Sequence, residues 1–468
     1  MEDSFRKSLI LFYFRQELFA KEQIFPSALW LSRTKYPSAM TNLYAVYYSQ
    51  PQLVANIDYL FFRKYTYENY LFFVIIFSKI TMTNFIRRAQ EQSIANATPP
   101  LAVVIIGPRR CGKTTLLKEL VKQFSGTVRW FNCDLRKHVQ LLQPETTGDV
   151  EAILRMSPII VIDEAQKVPG IGNVLKLLVD ANEQRQDPVR LFVTGSSSLQ
   201  LSCGVKESAV GRFKERKMWP FSMKELADHW NWGYVQEHLE NFMIFGCNPQ
   251  VIQNFDEAPE TLINYREGIL FRDLLQLVEL RRISQLTDLV TKLSYRIGSI
   301  INYESLGAEI GLSRLTVQRY IDLLELCNII KIVPSYSRNL DNEMKKGKKI
   351  YFTDLGIRNA LIEDFSPFSS RPDAGAIWEN FFFMERLKMH DFSLDRKRLF
   401  FWRSKENKPK ELDFIEVRDQ EMQAFECKLS PKAQANPGEA FRKAYPDCPI
   451  HVVTPENALR FFGMPSPT

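Results

Sequence analysis

The chain has 468 residues, 45% of them hydrophobic and 25% charged, with a formal net charge of +7. This balance excludes fibrous, collagen-like and wholly disordered classes and leaves length for about three domains. Seven cysteines stand singly, with no C-x-x-C pair and an odd total; that pattern argues against a disulfide framework or a metal knuckle and for reduced thiols in a cytoplasm.

Residues 1–81 differ from the rest. They hold 20 of the 58 aromatic residues and none of the 20 glycines, where an average folded segment of that length carries about five or six glycines. We expect Met82 to be the true start and residues 1–81 to be translated upstream sequence. A membrane anchor fits poorly, because the uncharged run Tyr70 to Ser78 is too short to span a bilayer. A signal peptide fits no better, since Glu17, Lys21 and Glu22 interrupt its candidate core. With this segment set aside, the excess of basic residues is slight and gives only a weak nucleic-acid footprint.

The next signal is Gly107-Pro108-Arg109-Arg110-Cys111-Gly112-Lys113-Thr114, which fits the phosphate-binding pattern G-x-x-x-x-G-K-[ST] at every fixed position. The apolar run Val103 to Ile106 reads as a buried strand entering the loop, and Thr115 to Phe124 as an amphipathic helix leaving it. Gly107 and Gly112 free the backbone to point N–H groups at phosphate oxygens beside a helix N-terminus. Lys113 is expected on the β- and γ-phosphates, Thr114 on an accompanying magnesium ion, and Thr115 with the loop in the nucleotide-binding set. Cys111 reads as a small filler.

Farther on, Ile159 to Ile162 form a β-branched strand that ends in Asp163-Glu164. The strand is expected beside the P-loop strand, with Asp163 holding magnesium near Thr114 and Glu164 orienting the attacking water. A third strand, Arg190 to Val193, ends in Thr194-Gly195-Ser196-Ser197, where Thr194 and Ser196 could sense the γ-phosphate from the next strand over.

In order and spacing these pieces resemble the bacterial and archaeal AAA-type ATPases that carry a C-terminal domain of uncharacterised function. The likeness continues through Val210-Gly211-Arg212-Phe213, Trp219-Pro220-Phe221-Ser222 and Tyr351-Phe352-Thr353-Asp354-Leu355-Gly356. It implies an α/β core with a parallel sheet sandwiched by helices, and ATP with Mg²⁺ as cofactors. It also implies that Arg212 acts as an arginine finger on a neighbouring subunit, hence a homo-oligomer. The family's usual Gly-Gly-Tyr-Pro turn is replaced here by Gly246-Cys247-Asn248-Pro249.

From about 223 to 300 the pattern is helical and suits a lid. Asn302 to Val333 then reads as a winged helix, with a first helix from Tyr303 to Ile310 and a second opened by the capping residue Ser313. The second helix is expected to bury Leu315, Val317, Ile321, Leu324 and Leu326 and to leave Arg314, Gln318 and Arg319 outward, where they could meet DNA.

At the end, Glu411 to Ile415 and Ala424 to Leu429 read as strands whose alternation puts Glu411 with Asp413, and Glu426 with Lys428. In-register pairing would bring Asp413, Glu426 and Lys428 together. This resembles the PD-(D/E)xK restriction-endonuclease fold, which implies Asp413 and Glu426 as metal ligands and Lys428 as the residue that orients or activates the water. Glu379, on a helix from Ala376 to Lys388, matches that family's additional acid.

The domains so read are 1–81, an ATPase core at 82–222, a helical lid with winged helix at 223–335, and a mixed α/β nuclease-like domain at 336–468. The favoured function is an ATPase controlling a metal-dependent, nuclease-like domain that acts on DNA. The alternative is a nucleotide-driven assembly or partner-binding switch whose C-terminal domain is not catalytic.

Overall fold

The computed structural model describes residues 85–195, 211–277, 283–337, 347–395, 397–404, 408–419 and 421–465. The expectations for residues 1–84, including a start at Met82, and for Ser196 and Ser197 lie outside these ranges. Residues 87–468 form one unit, to which the following description is confined.

The first half alternates strand and helix: α1 (Glu91–Ala95), β1 (Ala102–Ile106), α2 (Lys113–Leu120), β2 (Val128–Asn132), α3 (Arg136–Leu141), α4 (Thr147–Leu154), β3 (Ile159–Asp163), α5 (Ile171–Glu183), β4 (Arg190–Gly195) and β5 (Phe213–Lys217). The strands pair in parallel in the order β2-β3-β4-β1-β5. Strands β1 and β3 are buried along their whole length, as runs rich in Val and Ile must be when helices cover both faces. On one face Val104, Ile160, Ile162, Leu191 and Val193 pack with Ile153 and Leu154 of α4 and with Leu175 and Leu178 of α5. Each such side chain contributes about 1.5–3 kcal/mol by leaving water.

One expectation is corrected by this order. The strand ending in Asp163 does not lie beside the P-loop strand, because β4 runs between them and pairs with both. The consequence is chemical: the inserted strand delivers the Thr194 hydroxyl to the gap that Asp163 must cross to reach the loop.

Next come α6 (Met223–His229), α7 (Trp232–Glu237), α8 (Leu239–Phe245), α9 (Ala258–Leu277), α10 (Ile283–Tyr295), α11 (Tyr303–Ile310) and α12 (Arg314–Leu326), followed by the antiparallel pair β6 (Ile330–Pro334) and β7 (Lys348–Phe352). Ser313 caps α12 by accepting the Thr316 N–H. The buried face of α12 is Val317, Tyr320, Ile321, Leu323 and Leu324, whereas Leu315 is 77% exposed. Leu315 stands two positions before Val317, about 200° round the helix, so both cannot face the core. Arg314 and Arg319 are exposed, as expected, although Arg314 is paired with Glu304 at 3.1 Å.

The last part comprises α13 (Leu355–Leu361), α14 (Ala374–Ser393), β8 (Arg398–Arg403), β9 (Glu411–Arg418), β10 (Glu421–Cys427), α15 (Glu439–Ala444) and β11 (Ile450–Val453). These four strands form a mixed sheet in the order β11-β10-β9-β8, antiparallel except for β10 with β11. Helix α14, about 30 Å long at 1.5 Å per residue, lays Phe382 and Phe383 against Phe414, and Phe382 also meets Phe425. Phe441 of α15 packs edge-on to Trp402.

Helix α14 also grips the segment that follows β5. Lys388 Nζ donates to the Phe221 carbonyl at 2.9 Å, Glu385 accepts the Met223 N–H at 2.8 Å, and Asp391 accepts the Trp219 indole N–H at 2.8 Å. Glu385 and Lys388 pair with each other at 2.7 Å, both nearly fully buried. Each charge therefore leaves water only because the other and the backbone replace its hydration.

A second buried pair involves the neighbouring Arg386 of α14. Glu416 of β9, 1% exposed, takes the Arg386 guanidinium bidentately at 2.6 and 2.8 Å, the Gln423 amide at 2.6 Å and His390 Nε2 at 2.9 Å. Burial works to raise its pKa, but His390 and Arg386 outweigh burial and bring it down to about 2. A folded value below the ordinary 4.5 makes its contribution fully present above pH 4.5 and lost as pH falls through about 2. Glu416→Gln is therefore expected to cost about 3 kcal/mol at pH 7 and little at pH 2, read by denaturant unfolding at both values. Equal stability of the two proteins at pH 7 would refute this account.

Candidate functional site

The parallel strands bring the ends of β1, β3 and β4 to one edge of the sheet. Strand β1 runs into Gly107, and α2 begins at Lys113 with Gly112 as its N-cap at φ 100°, a left-handed conformation that favours glycine. Gly107 answers a different need: a Cβ there would stand 1.9 Å from the Met218 carbonyl oxygen, so the residue that follows β5 lies directly against the loop. Cys111 fills the same contact, fully buried, with its Sγ 3.6 Å from that oxygen. Pro108 and Arg109 are half-buried and Thr115 is exposed. Arg110, at φ 61°, places its guanidinium 3.7 Å from the centre of the Tyr265 ring on α9.

Lys113 is 5% exposed and donates to the carbonyls of Gly107 at 2.9 Å and Pro108 at 2.7 Å. Its ammonium is folded onto its own loop, and engaging a phosphate means exchanging these carbonyls for phosphate oxygens. The Thr114 hydroxyl lies 3.0 and 3.1 Å from the two Asp163 oxygens. The Thr194 hydroxyl donates to Asp163 and accepts the Glu164 N–H at 3.1 Å. Glu164 has φ 56°, and its carboxylate accepts from the Gln166 amide at 2.5 Å. The structure thus brings Lys113, Thr114, Asp163, Glu164 and Thr194 into one chain of contacts. Thr114 and Asp163 are a hard-oxygen pair of the kind that suits Mg²⁺. Nearby, burial first and then Asp163, Asp134 and Glu164 push the Cys133 thiol up to about 12, which keeps it protonated at neutral pH.

Arg212 is placed elsewhere. It immediately precedes β5, whose first residue pairs with Ala102 at the start of β1, so it stands at the sheet edge opposite its own P-loop. Its guanidinium is paired with Asp180 of α5.

A second group of charges gathers in the C-terminal domain. Phe400 pairs with Ile415 but Trp402 pairs with Leu412, so β9 carries one extra residue between them and strict alternation fails around Asp413. Asp413 accepts the Cys427 N–H at 2.8 Å, while Glu426 pairs with Lys428 at 2.8 Å and accepts the Asn436 N–H at 3.1 Å. The two expected metal ligands thus turn to different donors. Among the described residues no group of three or more His, Cys, Asp or Glu is placed to hold a metal ion. Asp413 is pushed up to about 7 by burial first and then by Glu379, against the opposing pull of Lys349, the Cys427 N–H and Lys428.

Lys349 of β7 was not anticipated from the sequence. Its Nζ lies 3.0 Å from Glu379 and 2.5 Å from Glu411, and its side chain is 1% exposed. Burial opposes its charge, but Glu379, Asp413 and Glu411 hold its pKa above the ordinary lysine value. Tyr351, two residues on and so on the same strand face, donates to Glu379 at 2.5 Å. The alternation Lys349, Tyr351 was a legible signal, masked because Lys348 and Lys349 together look like a solvated strand end.

Comparison with known proteins assigns the parts separately. Residues 100–227 match a family model described as an AAA domain, and residues 236–367 and 374–463 match two domains of unknown function. An uncharacterized protein of Mycobacterium tuberculosis is 24% identical over 311 residues, 65% of this chain and 65% of the relative, so the match spans just under two thirds of that protein's length. An uncharacterized protein of Methanocaldococcus jannaschii is 24% identical over 368 residues, 73% of this chain and 79% of the relative. Among solved structures, the Walker-type ATPase of Pyrococcus abyssi aligns with 60% of this chain and 97% of its own at 15% identity and a TM-score of 0.41. Among the described residues no helix is long and apolar enough to cross a membrane, and the described cysteines are free thiols.

Because the Met218 carbonyl leaves no space for a side chain at position 107, Gly107→Ala is expected to lose about 1–3 kcal/mol of stability by overpacking. It should also lose at least tenfold in nucleotide affinity. Thermal unfolding and titration with a fluorescent ATP analogue check both, and unchanged affinity would show that the loop tolerates the shift.

Proposed function

Given an AAA-type P-loop domain at residues 100–227, we propose that the chain is an ATP-binding and hydrolysing switch whose nucleotide cycle is carried to its C-terminal domain through α14. The observation that supports this reading is the continuous set of contacts Thr114, Asp163, Thr194 and Glu164. Thr114 and Asp163 would hold Mg²⁺, which when bound neutralises charge on the phosphates. Lys113 binds the β- and γ-phosphates by leaving its two loop carbonyls. Glu164 orients the attacking water and takes its proton, and Thr194 fixes the Glu164 backbone as it does so. Arg212, on the far edge of the sheet, is suited to serve a neighbouring subunit's nucleotide, which would make turnover depend on a homo-oligomer.

The transmission reading rests on the Met218 to Met223 segment. Its first residue closes onto Gly107 and Cys111, and its later residues are held by Asp391, Lys388 and Glu385 of α14. Loop occupancy and helix position are then linked through one short stretch of chain.

A second reading makes the C-terminal domain a metal-dependent nuclease acting on DNA. The order helix, three strands, helix, strand favours it, as does the placement of Lys428 near both Glu426 and Asp413. Arg314 and Arg319 of α12 would add a DNA contact. Incubation with Mg²⁺ and plasmid separates the readings: cleavage that disappears in Asp413→Ala establishes the nuclease, and its absence leaves the switch.

For the nucleotide site, Lys113→Ala is expected to abolish ATP binding. Glu164→Gln should retain binding while turnover falls by about 10²–10⁴-fold. Isothermal titration and phosphate release measure the two effects independently. A Glu164→Gln protein with normal turnover would remove Glu164 from its role.

A further inference from the structure

We infer that Lys349 is the resident cation of the C-terminal carboxylate cluster, so that Glu379 and Glu411 hold strand β7 and, with Asp413 beside them, take no divalent metal ion. An ammonium has three donors and no acceptor. Here it donates to Glu379 and lies against Glu411, with the Phe401 ring 5.3 Å away. The Glu379 oxygen that takes Lys349 also takes the Tyr351 hydroxyl at 2.5 Å, so that oxygen already has two donors. A divalent ion placed among the same oxygens would sit beside a fixed positive charge, and the two cations compete for them.

The backbone that carries the ammonium is held on both sides. Lys349 pairs with Val333 in the β6-β7 ladder and bridges to Ile300 on its other side. The Gly298 N–H donates to the Ile350 carbonyl at 3.0 Å, and the Ile301 N–H to the Lys348 carbonyl at 2.8 Å. At the strand's end, Asn380 of α14 accepts the Phe352 N–H at 2.7 Å and donates to its carbonyl at 2.9 Å. Moving the Lys349 backbone away from the acids means peeling β7 from two sides. The cluster therefore works as a lock between the β6-β7 pair and the C-terminal sheet, and Glu379 of the lock shares α14 with the residues that grip the ATPase segment.

The test uses the full chain carrying Asp163→Asn, without nucleotide, so that the P-loop contributes no metal site. Mn²⁺ titration followed by the electron paramagnetic resonance of the free ion is expected to show no binding that Asp413→Asn removes. Adding Lys349→Met should create one Mn²⁺ site per chain, at least tenfold tighter than any background, and Asp413→Asn on top should erase it. A Mn²⁺ site already present with Lys349 intact and lost in Asp413→Asn would overturn the inference. So would a Lys349→Met chain with a native circular dichroism spectrum that gains no site. The first comparison leaves Lys349 untouched and decides the matter even where Lys349→Met does not fold.

Discussion

The backbone of Met218 lies where a side chain at position 107 would be, and much of the structure depends on that closure. Its N–H donates to Ile106 at 2.8 Å, its carbonyl abuts Gly107 and Cys111, and the chain that leaves it is fixed within five residues by partners from three directions. Arg88 lies against Phe221 and pairs with Glu225 at 3.1 Å; Cys247 accepts the Phe221 N–H at 2.9 Å; α14 supplies Glu385, Lys388 and Asp391. A phosphate loop is ordinarily an anion cup on a rigid sheet. Here one wall of the cup is main chain that is simultaneously a domain contact.

Charge is used in two ways along α14. Arg386 with Glu416, and Lys388 with Glu385, are pairs in which each partner satisfies the other under nearly complete burial. Around Lys349 the balance is uneven, with one ammonium against three carboxylates, and Asp413 is raised by burial first and then by Glu379. Matched pairs fix position. In the unmatched cluster a proton on Asp413 relieves its repulsion with Glu379.

Much of the geometry of the candidate nucleotide site was legible in the sequence because it is local. The loop pattern, the β-branched strand into Asp163 and the polar end at Thr194 each needed only their own neighbours to be read. Strand order was not legible, since β3 and β4 are both apolar runs followed by polar residues and nothing in either records which one adjoins β1. Leu315 was misplaced because a leucine beside a cap resembles a core position until the 100° step is counted from Val317. The C-terminal strands were anticipated, but the extra residue in β9 was not, as a bulge has no composition of its own. Landmarks such as Trp219, Phe221, Tyr351 and Asp354 carried no chemistry when read alone. The structure gives them partners: Trp219 and Phe221 meet α14, Tyr351 meets Glu379, and Asp354 caps α13 while accepting the Cys247 N–H at 2.9 Å.

Helix α14 has two proprietors. One side is the core of the C-terminal sheet, through Phe382, Phe383 and Arg386, and the other is the socket for the segment after β5. A helix owned jointly cannot be inherited by one owner. Recombination that joined this ATPase core to a different C-terminal partner would deliver a foreign helix to the socket, leaving Phe221 and Met223 with backbone groups that no longer find Lys388 and Glu385. Either domain moved without that helix would therefore arrive with half of a contact, the socket empty on one side or its plug absent on the other.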